Sequence, residues 1–201
     1  AGRAGRRAGW PGPVRVRVAA HAEAWLLSGG ATPPDLCRRE GETCRTSRTA
    51  RVARLGLKDH VRFVDRFVGR VELTRWLESA DVFVTPYPNM GQIVSGTMAY
   101  AMGAGRAIVS TPYAYATELL AHGRGLLVPA AAPDALAAAV SGLLADPVKR
   151  LAMGKRAYDA SRQMVWRDVG TEYRNLFARV ATDAPAITVP SPDIGRATVS
   201  G

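Results

Sequence analysis

The sequence predicts an α/β fold built on a doubly wound parallel sheet, with helices covering both faces. Short apolar runs rich in β-branched residues alternate at least five times with helix-length segments, as expected for buried parallel strands. Glycine-containing turns follow several of these runs. Ligands of such sheets bind outside the carboxyl ends of the strands, so these turns are candidate ligand contacts.

The predicted elements follow each other along most of the chain. The strands are predicted at residues 24–27, 60–64, 82–84, 107–109 and 126–128. The helices are predicted at residues 34–54, 72–80, 93–104, 115–121, 133–144, 146–163 and 166–181. Pro34 and Pro133 stand at predicted helix starts, where the N–H that proline lacks would have no partner in the helix. Gly56 stands directly after the predicted end of the first helix, where glycine is favoured.

Both ends of the chain have a different composition. Residues 1–20 are rich in Gly, Arg and Pro without periodicity and predict a disordered basic lead, and residues 182–201 predict a disordered tail. The remaining residues, 21–181, are predicted to form one Rossmann-like domain that includes the C-terminal helices.

The net charge of +10 arises from 27 basic and 17 acidic residues, and most of the excess precedes residue 58. Specific recognition of nucleic acids would need aromatic side chains interleaved with the basic ones. Residues 1–54 offer only Trp10 and Trp25. The composition therefore predicts no specific nucleic-acid partner, whereas simple charge-driven binding of polyanions stays open as an alternative.

Cysteine and histidine positions indicate neither disulfides nor a metal site. Cys37 and Cys44 are the only cysteines, and on a predicted helix they lie about 10 Å apart, too far for a bridge. A reducing, cytoplasmic location is predicted. The three histidines are scattered outside any metal-binding spacing. No apolar run reaches the roughly 18 residues of a transmembrane segment.

The stretch from Asp81 to Thr111 is predicted as a strand, loop, helix and strand. Ser95, Gly96 and Thr97 stand where the loop meets the helix. The first N–H groups of a helix lack partners within it and carry the positive end of the helix dipole, so this corner suits an anion such as a diphosphate. The alternative is that small residues (Gly96, Ala99 and Gly103) serve only to pack the helix closely on the sheet.

Three blocks in the second half of the chain, ADVFV, AMGAGRAIVST and ELLAHGRGLLVP, occur in this order. With their flanking segments, over residues 24–181, they resemble the C-terminal, donor-binding domain of the GT-B glycosyltransferases, in particular the retaining family 4, called glycosyl transferases group 1. The resemblance implies transfer of a hexose from a GDP- or UDP-hexose to an unknown glycan or lipid acceptor, with retention of configuration. It also implies neither metal nor cofactor, and a donor held between two Rossmann-like domains.

The resemblance assigns substrate-binding roles by position. Ser95, Gly96 and Thr97 are expected to contact the diphosphate, and Arg66 and Phe67 are expected to flank the base. No catalytic residue is assigned.

Two glutamates that are usual in the family are replaced. They stand eight residues apart, toward the donor sugar and the ribose, and this chain has Gln92 and Tyr100 at those positions. Both side chains can form hydrogen bonds but neither carries charge, which predicts a variant donor site. The alternative is that Gln92 is a solvated loop amide and Tyr100 a core aromatic.

Parts of the family pattern are absent. The basic pair that grips the phosphates has no match among Arg3 to Arg17, and the N-terminal acceptor domain is missing. The chain is therefore interpreted as a fragment, inactive by itself. A catalytically inactive nucleotide-sugar-binding remnant and a basic polyanion-binding adaptor are the alternatives.

Three further side chains are weighed as ligand contacts. Arg124 lies between glycines near a strand end and either approaches phosphate or is solvated. Tyr113 and Tyr115 either line the sugar pocket or cap the sheet.

Overall fold

The computed structural model describes residues 24–30 and 43–183. The predicted lead, nearly all of the predicted tail, the start of the first predicted helix and Cys37 lie outside these residues. The strands are β1 (Leu26–Gly29), β2 (Val61–Val64), β3 (Val82–Thr85), β4 (Ala107–Ser110) and β5 (Leu126–Leu127). The helices are α1 (Thr43–Arg54), α2 (Arg70–Ser79), α3 (Gly96–Gly103), α4 (Ala114–Leu119), α5 (Pro133–Ala145), α6 (Pro147–Ser161) and α7 (Trp166–Asp183).

All strand pairs are parallel, which confirms the predicted α/β class. The strands form two sheets, however: β1 pairs with β2, and β4 lies between β3 and β5. Within the described residues, the single sheet expected from the sequence is therefore divided into these two sheets. Helix α2 connects the two sheets, because its Trp76 ring lies where a Cβ on Gly29 of β1 would be, while its Leu77 is buried in the core beside β4.

Strand β4 is the centre of the core, and side chains alternate between its two faces. Ile108 packs with α2, α3 and α4 through a first cluster that contains Leu77, Met98, Met102, Tyr113 and Leu120. Ala107 and Val109 point to the opposite face and pack with α5 and α6 through Val128, Leu136, Leu143 and Met153. Helices therefore cover both faces of the three-stranded sheet, as predicted.

Helix α3 presents its two methionines and Ala101, and not its glycines, to the core. Met98, Ala101 and Met102 are fully buried. The expectation of close packing through Gly96 and Gly103 is wrong, because a Cβ on Gly96 would meet nothing within 4 Å and one on Gly103 only the Arg162 guanidinium at 3.9 Å. The space beside Gly96 is open.

The chain divides into two compact units, one up to Arg162 and one from Gln163 onward. The described part of the second unit is dominated by α7. Aromatic and aliphatic side chains recur along α7 at helical spacing and are exposed, among them Trp166, Tyr173, Phe177 and Val180. Within residues 24–30 and 43–183, the helices fall short of the length and apolar content that a membrane span requires.

Candidate functional site

The candidate site is the corner between β3 and α3. Because α3 follows β3 of a parallel sheet, its N-terminus lies at the carboxyl edge of that sheet. Ser95 caps the helix: its backbone is extended, with φ −137° and ψ 101°, and its Oγ accepts a hydrogen bond from the N–H of Met98 at 3.4 Å. This cap explains why α3 begins at Gly96 and not at residue 93, where the helix was predicted to begin.

The corner leaves backbone N–H groups available. Met98 already donates to the cap, whereas the N–H groups of Gly96 and Thr97 have no acceptor among the residues that the structure describes. Both residues are exposed. Two helix-terminal donors are therefore unpaired among the described residues. The space at the Cβ position of Gly96 is open, so an anion can approach the backbone closely there.

Ser95 contributes to the corner differently from its neighbours. The residue is only 3% exposed. Its hydroxyl accepts from the N–H of Met98 and shares a hydrogen bond with the Thr97 hydroxyl, 3.3 Å away. The hydroxyl of Ser95 therefore orders the first turn of α3, while Gly96 and Thr97 form its accessible surface.

Gln92 and Tyr100 flank the corner on either side. The Gln92 amide nitrogen donates to the carbonyl oxygen of Val94 at 2.6 Å, which closes the loop in front of the helix. Tyr100 lies one helical turn after Gly96 and is 46% exposed, so it is not the core aromatic of the alternative interpretation. Five predicted site residues are thus brought together on one loop and one helix.

A buried polar layer supports the corner from the side of β4. The Ser110 hydroxyl donates to the carbonyl oxygen of Thr85 at 3.1 Å, and the Thr111 hydroxyl donates to that of Tyr87 at 2.7 Å. Both side chains are almost fully buried. These bonds tie the end of β4 to the loop that leads from β3 to the corner.

Tyr113 completes this layer and does not line a pocket, since it is fully buried. Its hydroxyl donates to the sulfur of Met98 at 3.9 Å. Burial raises the pKa of Tyr113, and the nearby Ser95 and Ser110 hydroxyls partly oppose this effect. Of the two roles predicted for Tyr113, its burial therefore favours packing at the end of the sheet over lining a sugar pocket.

Arg66 and Phe67 lie at the carboxyl end of β2, which belongs to the other sheet. Both guanidinium Nη atoms of Arg66 donate to the carboxylate of Glu72, at 2.8 and 2.6 Å. This pair lowers the pKa of Glu72 and raises that of Arg66. Phe67 is 83% exposed. The two residues thus form an exposed aromatic surface beside a fixed cation.

Arg124 has a local role. Its Nε donates to the carbonyl oxygen of Ala121 at 2.7 Å, and an Nη donates to that of Glu118 at 3.1 Å, so the side chain caps the end of α4. The hypothesis that Arg124 approaches phosphate is therefore not supported by its contacts. In the part of the chain that the structure describes, no three His, Cys, Asp or Glu side chains cluster as metal ligands.

A parallel α/β fold with an open helix N-terminus at the carboxyl edge of its sheet defines the class of Rossmann-like nucleotide-binding domains. The model of the family "Glycosyl transferases group 1" matches residues 25–146. The chain belongs to this family, as the resemblance had predicted.

Known proteins agree with this assignment. The phosphatidyl-myo-inositol mannosyltransferase of Mycobacterium leprae is 31% identical over 138 residues, which are 68% of this chain and 36% of that protein. The chain spans about a third of the length of the curated relatives it matches.

Solved structures share the fold. Sucrose-phosphate synthase from Thermosynechococcus elongatus superposes with a TM-score of 0.65 at 27% identity, covering 87% of this chain and 43% of that one. Anabaena HepE, solved in complex with UDP-glucose, gives a TM-score of 0.66 at 19% identity, covering 86% of this chain and 46% of that one. These neighbours confirm the GT-B type of Rossmann-like domain.

Proposed function

We propose that this chain is the donor-binding part of a glycosyltransferase that transfers a hexose from a GDP- or UDP-hexose to a glycan or lipid acceptor. The transfer retains the anomeric configuration and needs no metal. The diphosphate of the donor is bound at the N-terminus of α3, where backbone N–H groups and the helix dipole stabilise the charge that develops on the leaving group.

One observation carries this proposal: the first turn of α3 is capped internally yet open to ligands. Ser95 satisfies the third N–H of the helix, while the N–H groups of Gly96 and Thr97 have no acceptor among the described residues. Nothing lies within 4 Å of the Cβ position of Gly96. Membership of the glycosyltransferase family and the UDP-glucose bound by HepE support a nucleotide sugar as the anion.

The remaining contacts follow from position. Tyr100 is on the exposed side of α3 one turn from the diphosphate, where its hydroxyl can bond the ribose. Gln92 precedes the corner and contacts the donor sugar through its amide. Phe67 and Arg66 lie at the carboxyl end of β2, where an exposed ring and a guanidinium held by Glu72 can flank the base.

A second domain is proposed to supply the acceptor site. The chain spans about a third of its curated relatives, which leaves room for such a domain in the whole protein. We expect the 201-residue chain to bind donor without turning it over. Measurement of hexose release from UDP- and GDP-hexoses tests this expectation, and turnover by the chain alone would contradict it.

Binding to the corner is tested by titration calorimetry of the 201-residue chain with UDP, GDP and ADP. We expect UDP or GDP to bind, and Gly96→Val to raise its Kd by about tenfold or more, a loss of about 1.4 kcal/mol, because the new side chain fills the space beside the free N–H groups. Thermal unfolding of each variant verifies that it is folded at the temperature of the titration.

The matched control is Gly142→Val. Gly142 also lies in a helix with nothing within 4 Å of its Cβ position, but α5 covers the opposite face of the sheet. The Kd of Gly142→Val for the nucleoside diphosphate should equal that of the unchanged chain. Absence of binding by every nucleoside diphosphate, or equal Kd values for Gly96→Val and the unchanged chain, would exclude a diphosphate at this corner.

A further inference from the structure

A single buried phenol connects the candidate site to β4. Tyr113 lies between β4 and α4 and is fully buried. Its hydroxyl donates to the sulfur of Met98, whose own N–H donates to the cap Ser95. The Tyr113 ring stands edge-on to Tyr87, with ring centroids 5.4 Å apart, and the Tyr87 carbonyl oxygen accepts from Thr111.

These contacts reach α3 from outside the helix. With only eight residues, α3 is too short to be stable by its own hydrogen bonds, so tertiary contacts decide how its first turn is oriented. Met98 and Ser95 are the buried residues of that turn, and Tyr113 is in contact with the first of them. A buried hydroxyl without a hydrogen-bond partner costs free energy. Arrangements that keep the Tyr113 hydroxyl bonded to Met98 are therefore favoured over those that do not.

We propose that Tyr113 is a positioning residue for the diphosphate site: its buried hydroxyl holds Met98 and the Ser95 cap in place, so that the N–H groups of Gly96 and Thr97 stay directed at the ligand. The inference rests on the proposed function. Tyr113 touches no ligand itself, because its side chain is fully buried.

The test compares ligands that differ only in phosphate. The Kd of UDP and of uridine, and of GDP and guanosine, is measured for the 201-residue chain and for Tyr113→Phe. We expect Tyr113→Phe to raise the Kd of the nucleoside diphosphate that binds by about tenfold, and to change that of its nucleoside by less than about twofold. A variant that merely unfolds more often lowers both affinities by the same factor, so the ratio of the two Kd values separates positioning from stability.

Two further variants complete the design. Tyr115→Phe removes a phenol two residues away that is only half-buried, and its Kd ratio should equal that of the unchanged chain. If Tyr113→Phe fails to fold, Met98→Leu removes the sulfur acceptor at nearly constant volume and should change the Kd ratio in the same direction by a few-fold.

The outcomes distinguish the inference from the proposed function. A Kd ratio unchanged in Tyr113→Phe, or in Met98→Leu where it replaces that variant, overturns the positioning role and leaves the proposed function standing, because the unchanged chain binds the nucleoside diphosphate. An unchanged chain that binds neither UDP nor GDP overturns the proposed function and this inference together.

Discussion

Gly105 and Gly154 lie backbone to backbone, and a Cβ on Gly154 would overlap the carbonyl oxygen of Gly105. Gly105 forms the turn between α3 and β4 with a φ of +66°, a conformation that glycine adopts without strain. Gly154 is buried in the middle of α6. The contact therefore holds α6 against the turn that joins the candidate site helix to the central strand.

Gly154→Ala should destabilise the protein by about 1–3 kcal/mol. Alanine is the better helix former by up to about 1 kcal/mol, but two backbones must separate to admit the new methyl group. Chemical denaturation monitored by circular dichroism measures the free energy of unfolding.

Gly142→Ala is the matched control for this substitution. Gly142 is exposed in α5 and its Cβ position is empty, so only the helix propensity changes. We expect it to raise the free energy of unfolding by up to about 1 kcal/mol. Stabilisation by both substitutions would show that α6 does not depend on the close contact with Gly105.

The secondary structure was largely predictable because short apolar runs and helix signals are local. Among the described residues, all five strands and all seven helices had been predicted, and apart from the start of the first helix, which lies outside these residues, their ends differ by one to three residues. Separation into two sheets was not predictable, because strand pairing depends on hydrogen bonds between distant segments. The Gly105 to Gly154 contact was missed for the same reason, since neither glycine shows its partner in the sequence.

The part of the site whose residues are close together in the sequence was predictable. Gln92 to Tyr100 lie on one loop and one helix, so sequence order alone brings them together. The support from Ser110, Thr111 and Tyr113 depends on the pairing of β3 with β4 and appeared only in the structure. The outward direction of Gly96 likewise depends on which face of α3 carries Met98 and Met102.

Arg150 is expected to be more important for stability than its exposed partner. One Nη donates to the carbonyl oxygens of Leu143 and Leu144 at the end of α5, at 2.9 and 3.3 Å, and the other pairs with Asp81 at 3.1 Å. Arg150→Ala should lower the free energy of unfolding by about 1–3 kcal/mol, because those helix-end carbonyls lose a charged donor. Urea denaturation provides the measurement.

Asp81→Asn is the control for Arg150→Ala, because it removes only the ion pair. The Asp81 side chain is 63% exposed, and exposed ion pairs contribute about 0–1 kcal/mol. A larger loss of stability in Asp81→Asn than in Arg150→Ala would contradict the assigned role of the carbonyl bonds.

The Arg66 to Glu72 pair should be visible in an acid titration. The bidentate contact lowers the pKa of Glu72, so its carboxylate titrates below the ordinary value of about 4.3 in ¹³C NMR spectra. Because the folded pKa is depressed, the stabilisation by the pair is present above the ordinary pKa and is lost as the pH falls through the folded one. Arg66→Gln should return the titration to the ordinary range. A Glu72 midpoint that does not move in Arg66→Gln would show that the pair is not formed in solution.

Tyr113 should make the free energy of unfolding fall at alkaline pH, and Tyr113→Phe should remove this contribution. Burial raises the pKa of its phenol, so between the unfolded value of about 10 and the higher folded value the folded state binds more protons than the unfolded state. Stability therefore falls as the pH rises above about 10, and the part due to Tyr113 is absent from Tyr113→Phe. At neutral pH the variant should be less stable by about 1 kcal/mol, because it loses the hydrogen bond to Met98, and this difference should shrink as the pH approaches 11. Urea denaturation of both proteins between pH 7 and 11 measures the difference, with Tyr87→Phe as a control that keeps the buried phenol.

A difference that stays constant or widens with pH would mean that the Tyr113 hydroxyl ionises at least as readily in the folded protein as in the unfolded chain.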